Sequence, residues 1–233
     1  MTQAIPSLSV VIPCLNESKR LPLLLADLQQ GPNNHELVIA DGGSIDGSLA
    51  IARLSGAHVI TVEPAGRGHQ LAAGARQASG TWLLFLHADS RLPKTWAERI
   101  RSVLLSPQAA ASAWYFDLQI HPGTPMRQLL AKAVALRSRW LQRPYGDQGL
   151  LLHQTLYARS GGFADVPLME DLDLVERLSK IASLRPLHTP LITDGRRWDR
   201  SGVLQRSLQN FKLTRRWKPG VSLETLARDY FGS

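Results

Sequence analysis

The residues whose types and spacing could do chemistry are a few carboxylates and two arginine-bearing segments. Asp41 ends an apolar run and is followed by Gly42, Gly43 and Ser44. Glycines let the backbone turn sharply and leave a carboxylate at a sheet edge, where it can accept hydrogen bonds from a base or a ribose. Asp46 sits where it can cap the next helix, and that structural role outweighs a ligand role. Asp89 is released at the end of WLLFLHADSRLP. One carboxylate there suits a hard divalent cation such as Mg²⁺ or Mn²⁺ when phosphate oxygens and water complete the coordination. His87 reads as a core histidine packed beside Trp82 or Phe85, with a role at the metal as the alternative. Glu170, Asp171 and Asp173 open MEDLDLVERL. Acids in a first turn complement the helix dipole, which accounts structurally for Asp173 and in part for Glu170. Asp171 is the candidate base, because an alcohol hydroxyl has so high a pKa that its proton must leave as the oxygen attacks.

Two segments offer positive charge. In GRGHQLAAGARQ, glycines precede a helix and place backbone N–H groups and Arg67 where a diphosphate would be neutralised, with a plain loop and helix start as an equal alternative. In DGRRWDRSG, Arg197 beside Trp198 combines bidentate anion binding with a stacking face, against a surface arginine pair and a buried tryptophan.

The elements that must position these groups follow from hydrophobic spacing. Leu8 to Ile12, Leu37 to Ala40, His58 to Val62 and Trp82 to Leu86 are short apolar runs of strand type. Helical spacing lies between them at Leu21 to Leu28, Leu49 to Leu54 and Leu71 to Ala78. Alternation of this kind implies an α/β fold with a parallel sheet of βαβ units, in which ligands sit at the carboxyl ends of the strands. The turns there, PCLNES, DGGSIDGS, EPAGRGH and HADSRLP, are unusually polar. The second half reads as a strand at Ala113 to Ile120, an amphipathic helix at Pro125 to Leu141, a strand after GDQG, a turn at Ser160 to Gly162 and the helix that Glu170 opens. One domain over 1–233 is expected, with a nucleotide-binding half at 1–121, an acceptor and catalytic half at 122–200 and a basic amphipathic helical tail at 201–233.

Bulk properties narrow the classes. A chain of 233 residues, 44% of them hydrophobic, can bury one sizeable core. The single cysteine, Cys14, excludes an internal disulfide and a cysteine zinc cluster, and fits a reducing compartment. No stretch approaches a spanning helix and no basic segment precedes the first apolar run, so a cytoplasmic protein is expected. The net charge of +8 is unevenly placed: residues 1–121 hold 9 Lys/Arg and 9 Asp/Glu, and residues 122–233 hold 18 and 10. The second half should therefore prefer anionic partners, and the tail can lie on a membrane surface. No interleaved aromatic and basic pattern of an RNA-binding module occurs, which places nucleic acid last among those partners.

Taken in order, VVIPCLNE, ELVIADGGSIDGS, GRGHQLAAGARQASG, LLFLHADSRLP, GDQG, ARSGGFADVPLMEDLDLVERL and GRRW resemble the successive motifs of family 2 glycosyltransferases, from about Leu8 to Trp198. In finer detail the chain is similar to a small bacterial subgroup of radical-SAM and selenodomain-associated transferases. The resemblance implies a GT-A fold, with a Rossmann-like, mostly parallel central sheet flanked by helices and a smaller acceptor-binding C-terminal part. It implies inverting transfer from a nucleotide-diphospho-sugar, assisted by Mg²⁺ or Mn²⁺. On matching positions, Pro13 and Glu17 border the nucleotide, Asp41 binds the base, Asp89 binds the metal and Asp171 is the general base. Asp147, Gln148, Glu170, Arg197 and Trp198 fall to the acceptor and diphosphate. The family's DXD motif here reads His87-Ala88-Asp89, and the paired aspartates after the second strand read Asp41-Gly42.

Two rivals predict different products. A sugar-phosphate nucleotidyltransferase would release pyrophosphate from a nucleoside triphosphate, but its glycine-rich first loop is absent from PCLNES. A non-catalytic polyanion- or lipid-binding protein would show salt-sensitive binding and no turnover.

Overall fold

The computed structural model describes residues 5–31, 35–164 and 169–195. In chain order the elements are β1 (Leu8–Cys14), α1 (Leu21–Leu28), β2 (Glu36–Asp41), α2 (Ser48–Leu54), β3 (His58–Thr61), α3 (Arg67–Gln77), β4 (Trp82–Phe85), β5 (Ser90–Arg91) and α4 (Trp96–Leu104). They continue as β6 (Ser112–His121), α5 (Pro125–Trp140), β7 (Leu150–His153), α6 (Gln154–Arg159), α7 (Glu170–Ser179) and β8 (Ser183–Asp194). Short 3-10 turns at Pro107–Ala111 and Gly146–Gln148 precede β6 and β7.

Among the described residues one sheet of eight strands runs β3-β2-β1-β4-β7-β6-β8-β5. The first four strands pair in parallel; β7 is antiparallel to β4 and β6, β6 and β8 are parallel, and β5 closes the edge antiparallel to β8. The sheet is thus mostly parallel, and it passes without a break from the first half of the chain into the second.

β1, β2 and β4 read as continuous apolar runs because both faces of the sheet are covered. Val10, Ile12 and Leu84 pack with Leu21, Leu24 and Leu28 of α1 and Trp96 and Ile100 of α4. Val11, Leu83 and Phe85 point the other way, into Leu71 and Ala75 of α3 and Leu174, Val175 and Leu178 of α7. Truncating a leucine buried to this degree costs about 2–5 kcal/mol. α3 lies close on β1 because its packing position is a glycine: a Cβ on Gly74 would run into Val11 Cγ1.

The expected elements up to Phe85 and from Ser112 to Ser179 are present with small shifts at their ends. β8, the longest strand, lies where the sequence pattern assigned nothing. Its run SLRPLHTPLITD carries Pro186 and Pro190, which remove ladder donors and read as non-strand. The β6 register shifts between Tyr115 and Asp117 opposite those prolines, and His188 takes a positive φ of 53°. Among the described residues no helix is long and apolar enough to cross a membrane.

Candidate active site at the carboxyl edge of the sheet

The loops after β1 and β2 are hydrogen-bonded into one unit. Asn16 N donates to Ser44 Oγ (2.9 Å), Ile45 N to Asn16 Oδ1 (2.9 Å), Glu17 N to Ser48 Oγ (2.8 Å) and Ser18 N to Asp46 Oδ2 (3.1 Å). Asp46 also accepts from Ser48 N (2.9 Å), in a turn that leads into α2; the cap position expected of Asp46 falls instead to Gly47, which has no side chain to cap with. These bonds, led by that from the Ser48 hydroxyl, hold the Asp46 carboxyl well below the usual range. Gln70 of α3 bridges the ends of β1 and β2, donating to Cys14 O and Ala40 O at 2.8 Å each.

Asp41 reaches the expected edge, but its carboxylate turns into its own loop. Oδ2 accepts from Gly43 N (2.9 Å) and Ser44 N (2.8 Å), Oδ1 accepts from Ser44 Oγ (2.5 Å), and the residue is fully buried. Gly43, at φ 90°, supplies the backbone conformation that a side-chain-bearing residue would resist. Pro13 lies half-buried in β1 opposite Ala40. Glu17 borders the double loop, its carboxylate accepting from Arg20 (2.7 Å) and its carbonyl from Arg20 N and Leu21 N at the start of α1.

Asp171 lies farther along the same edge, near the middle of the sheet beside the turn that precedes β7, in the first turn of α7. Its Oδ2 accepts from Gly146 N (2.7 Å) and its Oδ1 from Leu172 N (2.8 Å). Each carboxylate oxygen has two lone-pair directions, so one on each remains for a substrate proton. A Cβ on Gly146 would fall 3.0 Å from Asp171 Oδ2 and 3.1 Å from His87 Nε2. The carboxylate and the imidazole therefore close on this glycine from two sides. His87, expected to be a core histidine beside Trp82 or Phe85, is half-buried and lines a narrow hollow with Phe85, Tyr145, Glu170 and Asp171.

Around this hollow the neighbours are scaffolding. Glu170 is buried and paired with Arg67, the first residue of α3. Burial pushes the Glu170 carboxyl up, the charge of Asp171 adds to this, and Arg67 opposes both. Arg67, expected at a diphosphate, is thus engaged with α7. Gln148, expected at the acceptor, is buried and ties the turn in place: its Nε2 donates to Phe116 O (3.1 Å) and its Oε1 accepts from Ser138 Oγ (2.8 Å). Asp147 sits half-buried in the same turn. Asp173 accepts from Arg177 Nε at 3.0 Å, a structural pair one helical turn apart.

Asp89 lies two residues beyond His87 and lines a second, wider and open hollow with Arg20, Arg91, His121 and Asp194. β5 holds it there. Arg91 donates twice to Asp27 (2.6 and 3.0 Å), and Leu92 N adds a third bond at 3.0 Å. Among the described residues no group of three or more His, Cys, Asp or Glu is disposed to hold a metal by itself. A cation at Asp89 would need phosphate oxygens and water for most of its ligands, which suits Mg²⁺ or Mn²⁺ and a hollow open to solvent.

The edge therefore gathers His87, Glu170, Asp171 and the Gly146 turn in one hollow and Asp89 in the next, with Asp41 buried in a loop that lines neither. Arg197, Trp198 and the tail over 201–233 lie outside the described residues. Sequence reasoning missed Tyr145, whose ring lies 3.5 Å beneath the Arg137 guanidinium. The only signal for it was its place between Pro144 and Gly146.

Comparison with known proteins follows the same lines. Residues 9–164 match the sequence model of Glycosyl transferase family 2. A PGL/p-HBAD biosynthesis glycosyltransferase of Mycobacterium bovis is 38% identical over 96 residues, 38% of each chain. A 4,4'-diaponeurosporenoate glycosyltransferase of Staphylococcus haemolyticus is 37% identical over 93 residues, 37% of this chain and 25% of that one. These matches span well under half of the relatives' own length. Among solved structures, S. aureus TarS 1–349 in complex with UDP aligns with TM-score 0.66 at 18% identity, over 81% of this chain and 60% of that one. The Pyrobaculum calidifontis mannosyltransferase PcManGT, in complex with GDP-Man and Mn²⁺, aligns with TM-score 0.63 at 19% identity, over 91% and 61%. Both share the GT-A fold seen here.

Proposed function

The chain belongs to glycosyl transferase family 2, and from that premise we propose that it moves a sugar from a nucleotide-diphospho-sugar to an acceptor hydroxyl, with inversion at the anomeric carbon. The observation that carries this reading is the convergence of Asp171 and His87 on Gly146, in a hollow two residues along the chain from Asp89.

Asp171 takes the proton of the acceptor hydroxyl as that oxygen attacks; a positioned base of this kind contributes about 10²–10⁴-fold. The N–H of Gly146 and the Arg67–Glu170 pair orient it. Mg²⁺ or Mn²⁺, held by Asp89 when bound, supplies charge stabilisation to the departing diphosphate. Asp41 and the double loop it closes, with Pro13 and Glu17 at its border, form the floor for the nucleotide, and Arg197 and Trp198 act at the acceptor. The two halves, 1–121 and 122–200, work as one domain. The protein acts in the cytoplasm at the inner face of the membrane on a lipid-linked acceptor, a placement supported by the basic excess after Pro122. UDP and GDP-Man in the two structural neighbours, with Mn²⁺ in one, support the donor class.

A thermal-shift panel of nucleoside diphosphates and their sugars, with and without Mn²⁺, tests the donor. At a hundred times its Kd the right ligand stabilises the folded state by about 2.7 kcal/mol, a rise of roughly 5–10 °C for a domain of this size. A panel in which no diphosphate or diphospho-sugar moves the melting temperature would remove the reading.

A further inference from the structure

α5 turns an apolar row to solvent. Met126, Leu129, Leu136 and Trp140 are 44%, 63%, 58% and 80% exposed, and Leu141 follows at 63%. With the exposed Ala133 between them, the steps are three, four, three and four residues, which is one face of a helix. The opposite face carries the buried Arg127, Val134 and Ser138, with Val134 packed against Leu118 and Ile120 of β6. A single exposed leucine is ordinary, but a row of this length marks a contact surface.

Charge selects the occupant. Residues 125–140 contain four basic side chains, Arg127, Lys132, Arg137 and Arg139, and no acid. Lys132 and Arg139 are exposed and, seven residues apart, form a line beside the apolar row, Arg139 with a long contact of 3.6 Å to Asp117 of β6. Long basic side chains in that place can reach outward while their stems stay with the apolar face. A second copy meeting this face about a two-fold axis would set basic against basic, which costs affinity. Residues 201–233 carry 6 Lys/Arg against 2 Asp/Glu, so they too match the helix poorly in charge. An anionic bilayer matches both features, taking the apolar row at the acyl boundary and the basic line among its head groups.

We propose that α5 docks the protein on an anionic membrane surface through Met126, Leu129, Leu136 and Trp140. The docked helix also carries the rim of the Asp171 hollow. Arg137 stacks on Tyr145, and Ser138 holds Gln148. The docking surface stands on exposure and charge and does not depend on the catalytic reading.

The test is flotation of the full chain with phosphatidylcholine vesicles, with and without phosphatidylglycerol. The wild type is compared with Leu129→Ser/Leu136→Ser and, separately, with Trp140→Ser. The wild type should float with the anionic vesicles and lose binding as salt rises. The double variant should bind on the order of tenfold more weakly, and Trp140→Ser should be weakened in the same direction, both with unchanged melting temperature. Wild-type protein that fails to float, or variants that float as well as wild type, would overturn the proposal. So would a wild-type dimer in vesicle-free buffer that either variant converts to monomer, since the face would then belong to a second copy. Donor-dependent thermal shifts, read on the same samples, report separately on the catalytic reading.

Discussion

Asp171→Asn is expected to lower transfer by about 10²-fold or more while donor binding stays within about twofold of wild type. The asparagine keeps one side-chain oxygen that can accept from Gly146 N, the 2.7 Å bond that fixes the turn, and of the two bonds gives up only the local one from Leu172 N within the first turn of α7. What it loses is the capacity to take a proton. The loss should fall on kcat, with the KM for donor nearly unchanged, because the missing interaction forms only as the acceptor oxygen attacks. Steady-state kinetics with a nucleoside-diphosphate release assay reads both parameters. A variant with wild-type kcat would transfer the base role elsewhere, and a variant that no longer binds donor would make Asp171 a structural residue.

Asp89→Ala is expected to remove the Mn²⁺-dependent part of donor binding. A cation on a diphosphate is worth several kcal/mol of transition-state charge stabilisation, and each 1.4 kcal/mol is a decade, so the transfer rate should fall by about two decades or more as well. The fold should tolerate the change, because β5 is held by the Asp27 contacts to Arg91 and Leu92 N and by its pairing with β8. The measurement is the difference in melting temperature with and without Mn²⁺ at fixed donor, for variant and wild type side by side. Equal Mn²⁺ increments in the two would place the cation away from Asp89.

The elements that hold these residues differ in how plainly the chain announces them. β1, β2 and β4 are legible because strands covered on both faces carry nearly unbroken apolar runs, and α3 and α7 because their apolar residues recur at helical spacing, α7 adding three acids in its first turn. β8 was illegible because its prolines contradict a strand locally, and only pairing with β6 and β5, distant in sequence, makes it one. The candidate site divides in the same way. The positions of Asp41, Asp89 and Asp171 at strand ends or a helix start followed from residue type and spacing. The directions of their side chains did not. Asp41 turns inward because Gly43 at φ 90° brings two N–H groups back to it. Arg67 is committed to Glu170 across 103 residues, a contact with no local signal. The meeting of His87 and Asp171 on Gly146 depends on β7 running antiparallel beside β4, which places the turn before β7 at the carboxyl end of β4.

Most directly, proton NMR of the full chain incubated with an α-linked UDP- or GDP-sugar, Mn²⁺ and a hydroxyl acceptor would follow donor and product together. Free nucleoside diphosphate should appear in step with a new anomeric proton of β configuration, and both should form about 10²-fold or more slowly with Asp171→Asn. Retained α configuration, or pyrophosphate released from a nucleoside triphosphate in place of diphosphate from the sugar donor, would contradict the inverting transfer proposed for this site.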